Sequence, residues 1–317
     1  MNQVIDYRNA FRFGGQPHWF DFWNLRVVLP EEGKWFFIMP HILSGQSVGE
    51  ADRFTLFSGV LGDEGAQSWQ EKVKGEWTAS SENALVQWEG GVLEEGAVVA
   101  KTAQAVWDVR WQRKLSDGTE RGQEDKRAFD VVERLYLRKL PFVHRVPTMR
   151  GIAEGSIVQF GKVWDVEGGW VYQAKNHGTA FPNYWTWIHA VDTGHVEPRA
   201  MEVASMPTSN GSAGIFRWAT PEGTRFFASF LGDEINLQEE DGHFSFTVKS
   251  SSGILIAEGE GEHGDIVDFS FPTPRGALFA TPESFNGRLR GIVLGEEVKS
   301  DFPALGHAQK RTSISIG

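Results

Sequence analysis

Apolar and polar residues alternate along short segments of this chain, and Gly, Asp, Asn or Pro closes most of them. In the first half the pattern covers residues 19–29, 34–39, 53–60, 84–88, 97–111 and 127–137. In the second half it covers 155–164, 185–191, 213–218, 224–230, 243–250, 253–258, 265–271 and 288–294. A period of two puts successive side chains on opposite faces of a strand, so these segments predict antiparallel β structure. Pro30-Glu-Glu-Gly33, Ser116-Asp-Gly-Thr119, Pro221-Glu-Gly223 and Asp241-Gly242 supply the turn chemistry between them. Only 49–57 and 123–133 offer short helical candidates. Strands of this length with frequent turns predict an all-β chain of barrels or sandwiches. Pro141 and Pro147 interrupt the pattern around 140–149, which predicts two domains, 1–145 and 146–317.

Composition narrows the function classes. At 317 residues with a net charge of −11, the chain has ample core material but no basic patch. Nucleic-acid binding is therefore not expected, because phosphate contacts need clustered Lys and Arg. With no cysteine, disulfides, thiolate nucleophiles and Cys-ligated metals are excluded. The first twenty residues lack a basic segment followed by an apolar one, so no secretory signal is expected. No apolar run approaches the roughly twenty residues of a membrane-spanning helix. These features predict a cytoplasmic protein, with at most peripheral membrane contact, and leave its oligomeric state open.

Several apparent motifs have simpler readings. Gly259-Glu-Gly-Glu-His-Gly264 fits a dinucleotide-loop pattern, but an alternating strand follows it where a helix is required. It reads as a hairpin turn, and the acidic stretch 258–265 as a solvated loop. His177, His189 and His195 share no metal-ligand register, although Asp or Glu could complete a site. Asn210-Gly-Ser212 reads as an ordinary turn, and no G-x-S-x-G occurs.

The aromatic residues are concentrated more tellingly. The chain has 13 Trp and 23 Phe against 4 Tyr. Residues 169–191 hold Trp170, Tyr172, Tyr184, Trp185 and Trp187 beside Lys175, Asn176, His177 and His189. So many indoles line either an apolar pocket or a core wedge.

Two segments together resemble the tocopherol cyclase family. The family pattern F-E-G-W-Y-F-K/R-V-x-I/L-P is similar to Phe20-Asp-Phe-Trp-Asn-Leu-Arg-Val-Val-Leu-Pro30, followed by Trp35-Phe-Phe-Ile-Met39. Trp23, Arg26, Val27 and Pro30 match, Asp21 stands for the family Glu, and Phe22 and Asn24 depart. The second pattern, Y-x-E-K-N-W-G-x-x-F-P and then W-x-W-I/V-Q, is similar to Tyr172–Gly178, Phe181-Pro182 and Trp185-Thr-Trp-Ile-His189. Lys175, Asn176, Gly178, Phe181, Pro182, Trp185 and Trp187 match. Ala174 replaces Glu, His177 replaces Trp, and His189 replaces Gln.

The resemblance implies two tandem lipocalin-like antiparallel β-barrel or sandwich domains with few short helices. It also implies ring closure of a prenylated benzoquinol to a chromanol without a cofactor. Related attractant-binding, carotenoid-hydratase-like and pericyclase-like proteins share that fold, so a carrier of a hydrophobic isoprenoid or quinone, a hydratase and a pericyclase stand as alternatives. Ring closure needs an acid kept neutral, aromatic faces around a developing cation, and polar groups to orient the ring. Asp21 is the expected acid among Trp19, Phe22 and Trp23. Asn176 would hold a hydroxyl, Lys175 would stabilise a phenolate or orient Asp21, and His177 or His189 would relay the proton. Tyr172, Phe181, Trp185 and Trp187 would line the pocket. The plainer readings are an Asp21–Arg26 surface pair, a turn at 175–178, and packing roles for the Trp pair and His189. If the Glu replaced by Ala174 is the essential acid, the chain is instead a binder, or an enzyme of altered chemistry in which a histidine takes over.

Overall fold

Strands form where the period-two pattern is sustained, and they collect into two compact units. The computed structural model describes residues 18–45, 53–62, 64–80, 85–116, 142–208, 211–274, 278–301 and 303–311. Among these, the helical elements are two three-residue 3-10 turns, Pro30–Glu32 and Ser229–Leu231. The chain is all-β, as its patterning predicts.

The first unit takes the chain up to Lys114, the stretch ending at Phe181, and a short return at Thr273. Its strands are β1 (His18–Leu29), β2 (Lys34–Gly45), β3 (Phe54–Gly62), β4 (Gly65–Lys72), β5 (Trp77–Ala79), β6 (Val86–Trp88), β7 (Gly91–Glu94), β8 (Ala97–Lys101), β9 (Ala105–Leu115), β10 (Phe142–Gln159), β11 (Lys162–Asp165) and β12 (Trp170–Gly178). They make one sheet in the order β4-β3-β2-β1-β12-β10-β9-β8-β7-β6-β5, with β11 on β10. Central β1 is antiparallel to β2 and β12 and buried on both faces, hence its nearly unbroken apolar run. One face carries the core: Trp23, Leu25 and Val27 pack with Phe36, Ile38 and Ile42 of β2, Phe54 and Leu56 of β3, Trp107 of β9 and Val171 of β12.

The second unit holds β13 (Tyr184–Val191), β14 (Ala200–Thr208), β15 (Gly211–Thr220), β16 (Gly223–Ala228), β17 (Glu234–Glu240), β18 (His243–Lys249), β19 (Leu255–Glu262), β20 (Ile266–Pro272), β21 (Leu278–Ser284), β22 (Arg288–Val293), β23 (Glu296–Ser300) and β24 (Ala304–Arg311). Seven of these strands pair as β16-β15-β14-β13-β24-β21-β20 and five as β17-β18-β19-β22-β23. Ile188, Val203, Phe216 and Trp218 from the first sheet share a core with Phe244, Val248, Leu289 and Val293 from the second.

Several expectations need correction. From Phe54 onward the helical candidate at 49–57 is strand β3, which pairs with β2 residue by residue; 49–52 lie outside the described residues. The strand expected over 97–111 is two, because Thr102 turns the chain by accepting the Ala105 N–H on its hydroxyl. Residues 155–164 are not one strand but the β10–β11 hairpin. The Gly/Glu stretch at 258–265 is largely strand β19, and its glycines have a packing reason: a Cβ on Gly259 would lie 2.6 Å from the Phe246 ring. From Phe142 onward the stretch 140–149 is part of β10, which pairs with β12, and the main stretch of the first unit around it runs on to Phe181. The 123–133 helix, the 127–137 strand and Asn210 lie outside the described residues.

Candidate functional site

Strand alternation sorts the candidate residues before any distance is measured. In the β1–β12 ladder Asp21 opposes His177 and Trp23 opposes Lys175, whereas Phe22 opposes Asn176 and Arg26 opposes Tyr172. Directly opposed side chains share a face and neighbours along a strand do not. Trp19, Asp21, Trp23, Lys175 and His177 therefore lie together on the core side. Phe22, Asn176 and Tyr172 lie on the other face. Lys175–Gly178 is strand, not the alternative turn, and Asp21 cannot pair with Arg26 through the sheet.

On the core side, Lys175 Nζ stands 3.1 Å from Asp21 Oδ1, with both side chains wholly buried. The same ammonium lies 4.7 Å from the centre of the Trp23 ring, a cation–π contact. Trp19 and His177 rings are 5.6 Å apart beside this pair. At this distance the two side chains form a buried ion pair. Arg145 of β10 opposes Lys175, and Thr148 opposes Gln173. Two register shifts flank Thr148, and bulges of this kind re-aim side chains. Thr148 and Gln173 are fully buried, and neither the Thr148 hydroxyl nor either atom of the Gln173 amide has a hydrogen-bond partner among the described residues. An unsatisfied buried polar group costs about 1–3 kcal/mol, so this cluster weakens the core it sits in. Neither residue stands out in sequence, because one Gln or Thr in an alternating strand looks like its solvated face.

The opposite face is aromatic and carries no carboxylate on β1, β2, β3 or β12, whose single acidic residue is Asp21. One row crosses five strands as Thr55, His41, Phe22, Asn176 and His144. His144 Nδ1 lies 2.7 Å from Asn176 Oδ1. The Phe22 and His41 rings meet edge-on at 5.7 Å, and complete burial lowers the His41 pKa to about 3, leaving a neutral imidazole. Phe20 stacks on Phe181 at 4.0 Å, and Arg26 lies over the Tyr172 ring at 5.3 Å. Ala174, where the resembled family has Glu, opposes Asn24, whose buried Oδ1 has no hydrogen-bond partner among the described residues.

Trp185, Trp187 and His189 fall on β13, in the second unit. His189 opposes Glu202, which opposes Arg217, which opposes Phe226. Arg217 Nη1 donates to Glu202 Oε2 with both side chains buried, and its guanidinium lies 5.6 Å over Phe226. Glu202 and Arg217 carry no motif; their only signal is a single charge inside each of two apolar strands. His195 instead meets Asp192 at 2.6 Å, while Asp192 accepts the Gly194 and Lys299 N–H groups. That arrangement closes a turn.

No protein-family model matches the chain, and no curated protein matches it. Solved structures do match. A Nitrosomonas europaea protein described as an AttH candidate superposes with a TM-score of 0.55 at 11% identity, covering 95% of this chain and 97% of its own. A protein named CghA superposes with a TM-score of 0.59 at 9% identity, covering 93% and 89%. At such identities the likeness is one of fold and says nothing about chemistry. The chain has a lipocalin-like all-β fold.

Proposed function

We propose that the first unit binds a hydrophobic small molecule, an isoprenoid or quinone, through a hydrogen-bonding oxygen on that molecule. The observation that carries this reading is the polar cluster on the core side: the Asp21–Lys175 pair against Trp23, with Gln173 and Thr148 beside it and unpartnered. A core needs none of these groups, and they lower its stability. An oxygen acceptor would take hydrogen bonds from the Lys175 ammonium and the Gln173 amide, while Trp19 and Trp23 would flank an apolar ring. Replacing Gln173 with leucine separates ligand binding from packing. Folding stability is expected to hold or rise, because an orphan amide is removed. Affinity for a prenylated benzoquinone, followed by tryptophan quenching, is expected to fall about tenfold, the value of one hydrogen bond. Absence of quenching with both that quinone and an isoprenoid alcohol would sink the proposal.

The order K-N-x-G-x-x-F-P-x-x-W-x-W supports a second reading, ring closure of a prenylated benzoquinol. In that reaction the phenolic proton leaves as the oxygen bonds to the alkene, and another proton enters at the neighbouring alkene carbon. The Asp21 carboxylate suits the first transfer, with Lys175 stabilising the phenolate. Delivery of the second proton needs a neutral acid, and with Asp21 paired and Ala174 in place of Glu neither motif offers a free carboxylic acid for it. Incubation with prenylated benzoquinols is accordingly expected to give bound, unchanged quinol. A chromanol made by the native chain and lost in Asp21→Asn would establish the cyclase instead.

A further inference from the structure

The β10–β11 hairpin turns through Phe160 and Gly161, with φ values of +50° and +76°. Such two-residue turns suit Asn, Asp or Gly, whereas an aromatic side chain at positive φ is strained. Burial does not offset that strain: Phe160 is 67% exposed, with an edge-on ring contact to Trp69 at 5.6 Å. Val163, across the hairpin, is 64% exposed. On the Trp164 face of the hairpin, opposite Val163, Lys162 Nζ lies 3.6 Å and Lys34 Nζ 5.8 Å from the Trp164 ring.

We propose that this tip docks on an anionic lipid bilayer, with Phe160 and Val163 entering the boundary between headgroups and acyl chains. Lys162 and Lys34 would meet the lipid phosphates. Three observations favour lipid over a protein partner. A Cβ on Gly161 would meet nothing within 4 Å, so the turn is open at that position. An exposed aromatic and an exposed aliphatic side chain with two lysines near by match the chemistry of a membrane interface. Finally, strain and exposure coincide at Phe160, as they do where a residue is kept for contact rather than for folding. On a chain of net charge −11, these two cations would act locally, at contact range.

The experiment is sedimentation of the full chain with phosphatidylcholine vesicles, with and without phosphatidylglycerol. Native protein is expected to sediment with the anionic vesicles, weakly and reversibly. Phe160→Asn is expected to reduce the bound fraction at least about tenfold. The same variant should melt at the same or a higher temperature, because Asn accepts positive φ, so a folding defect cannot explain the loss. Lys162→Glu should remove the part that depends on phosphatidylglycerol. Failure of the native chain to bind either vesicle, or unchanged binding by Phe160→Asn, overturns the proposal. So does a native dimer that Phe160→Asn converts to monomer without lipid binding, which would assign the tip to a second copy of the chain. The vesicles contain no isoprenoid or quinone, so this result is independent of the small-molecule reading.

Discussion

Replacing Lys175 with methionine is expected to destabilise the protein by about 3–5 kcal/mol, read as a lower urea midpoint. Both side chains are wholly buried, so removing the ammonium takes away the counter-charge 3.1 Å from the Asp21 carboxylate at a place shielded from water. Loss of the cation–π contact with Trp23 adds to the cost. Asp21→Asn should also destabilise, by leaving the ammonium without its carboxylate. The double variant Asp21→Leu with Lys175→Met should recover most of the loss, because two apolar side chains of similar bulk have no desolvation penalty. A single-variant cost below about 1 kcal/mol is the range of exposed ion pairs and would contradict this burial. The double variant also separates fold from function. If it folds like the native chain but no longer binds prenylated benzoquinone, the pair is kept for the ligand.

Much of this arrangement is legible in the sequence, up to the point where pairing matters. Alternation and turn residues identify the β class, and the Phe20–Pro30 and Tyr172–Gly178 segments stand out as a related pair. In the structure they are neighbours, β1 against β12. The faces are harder to read. A strand buried on both sides gives no polar stripe, so HWFDFWNLRVVL does not reveal that Asp21 and Phe22 serve different surfaces. Partners supplied by distant strands are silent for the same reason. His144 reaches Asn176 from β10, and Thr148 faces Gln173 only because β10 is bulged there. Closeness in sequence also misleads. Asn176 and His189 sit in one aromatic stretch, yet the chain passes into the second unit after Phe181, and His189 joins Glu202 and Arg217 there.

His41 gives the second large effect, and its sign follows from burial alone. Its pKa is lowered from 6.5 to about 3 because the imidazolium cannot be solvated on the aromatic face. Above pH 6.5 both folded and unfolded chains carry a neutral His41, so the full stability is present. Between pH 6.5 and about 3 the unfolded chain takes up a proton that the folded chain refuses. Stability is then lost as pH falls, by about 1.4 kcal/mol per pH unit from this residue. Over the whole interval the loss is on the order of 4–5 kcal/mol, a large share of a typical folding free energy. His41→Leu removes the titrating group while keeping an apolar side chain against Phe22 and Phe57. The decisive measurement is the unfolding free energy of both proteins from pH 7 to 5, above the range where most carboxylates titrate. The native curve should fall relative to the variant by about 2 kcal/mol. Parallel curves would mean that the imidazole is protonated in the folded state, and that this face tolerates a charge.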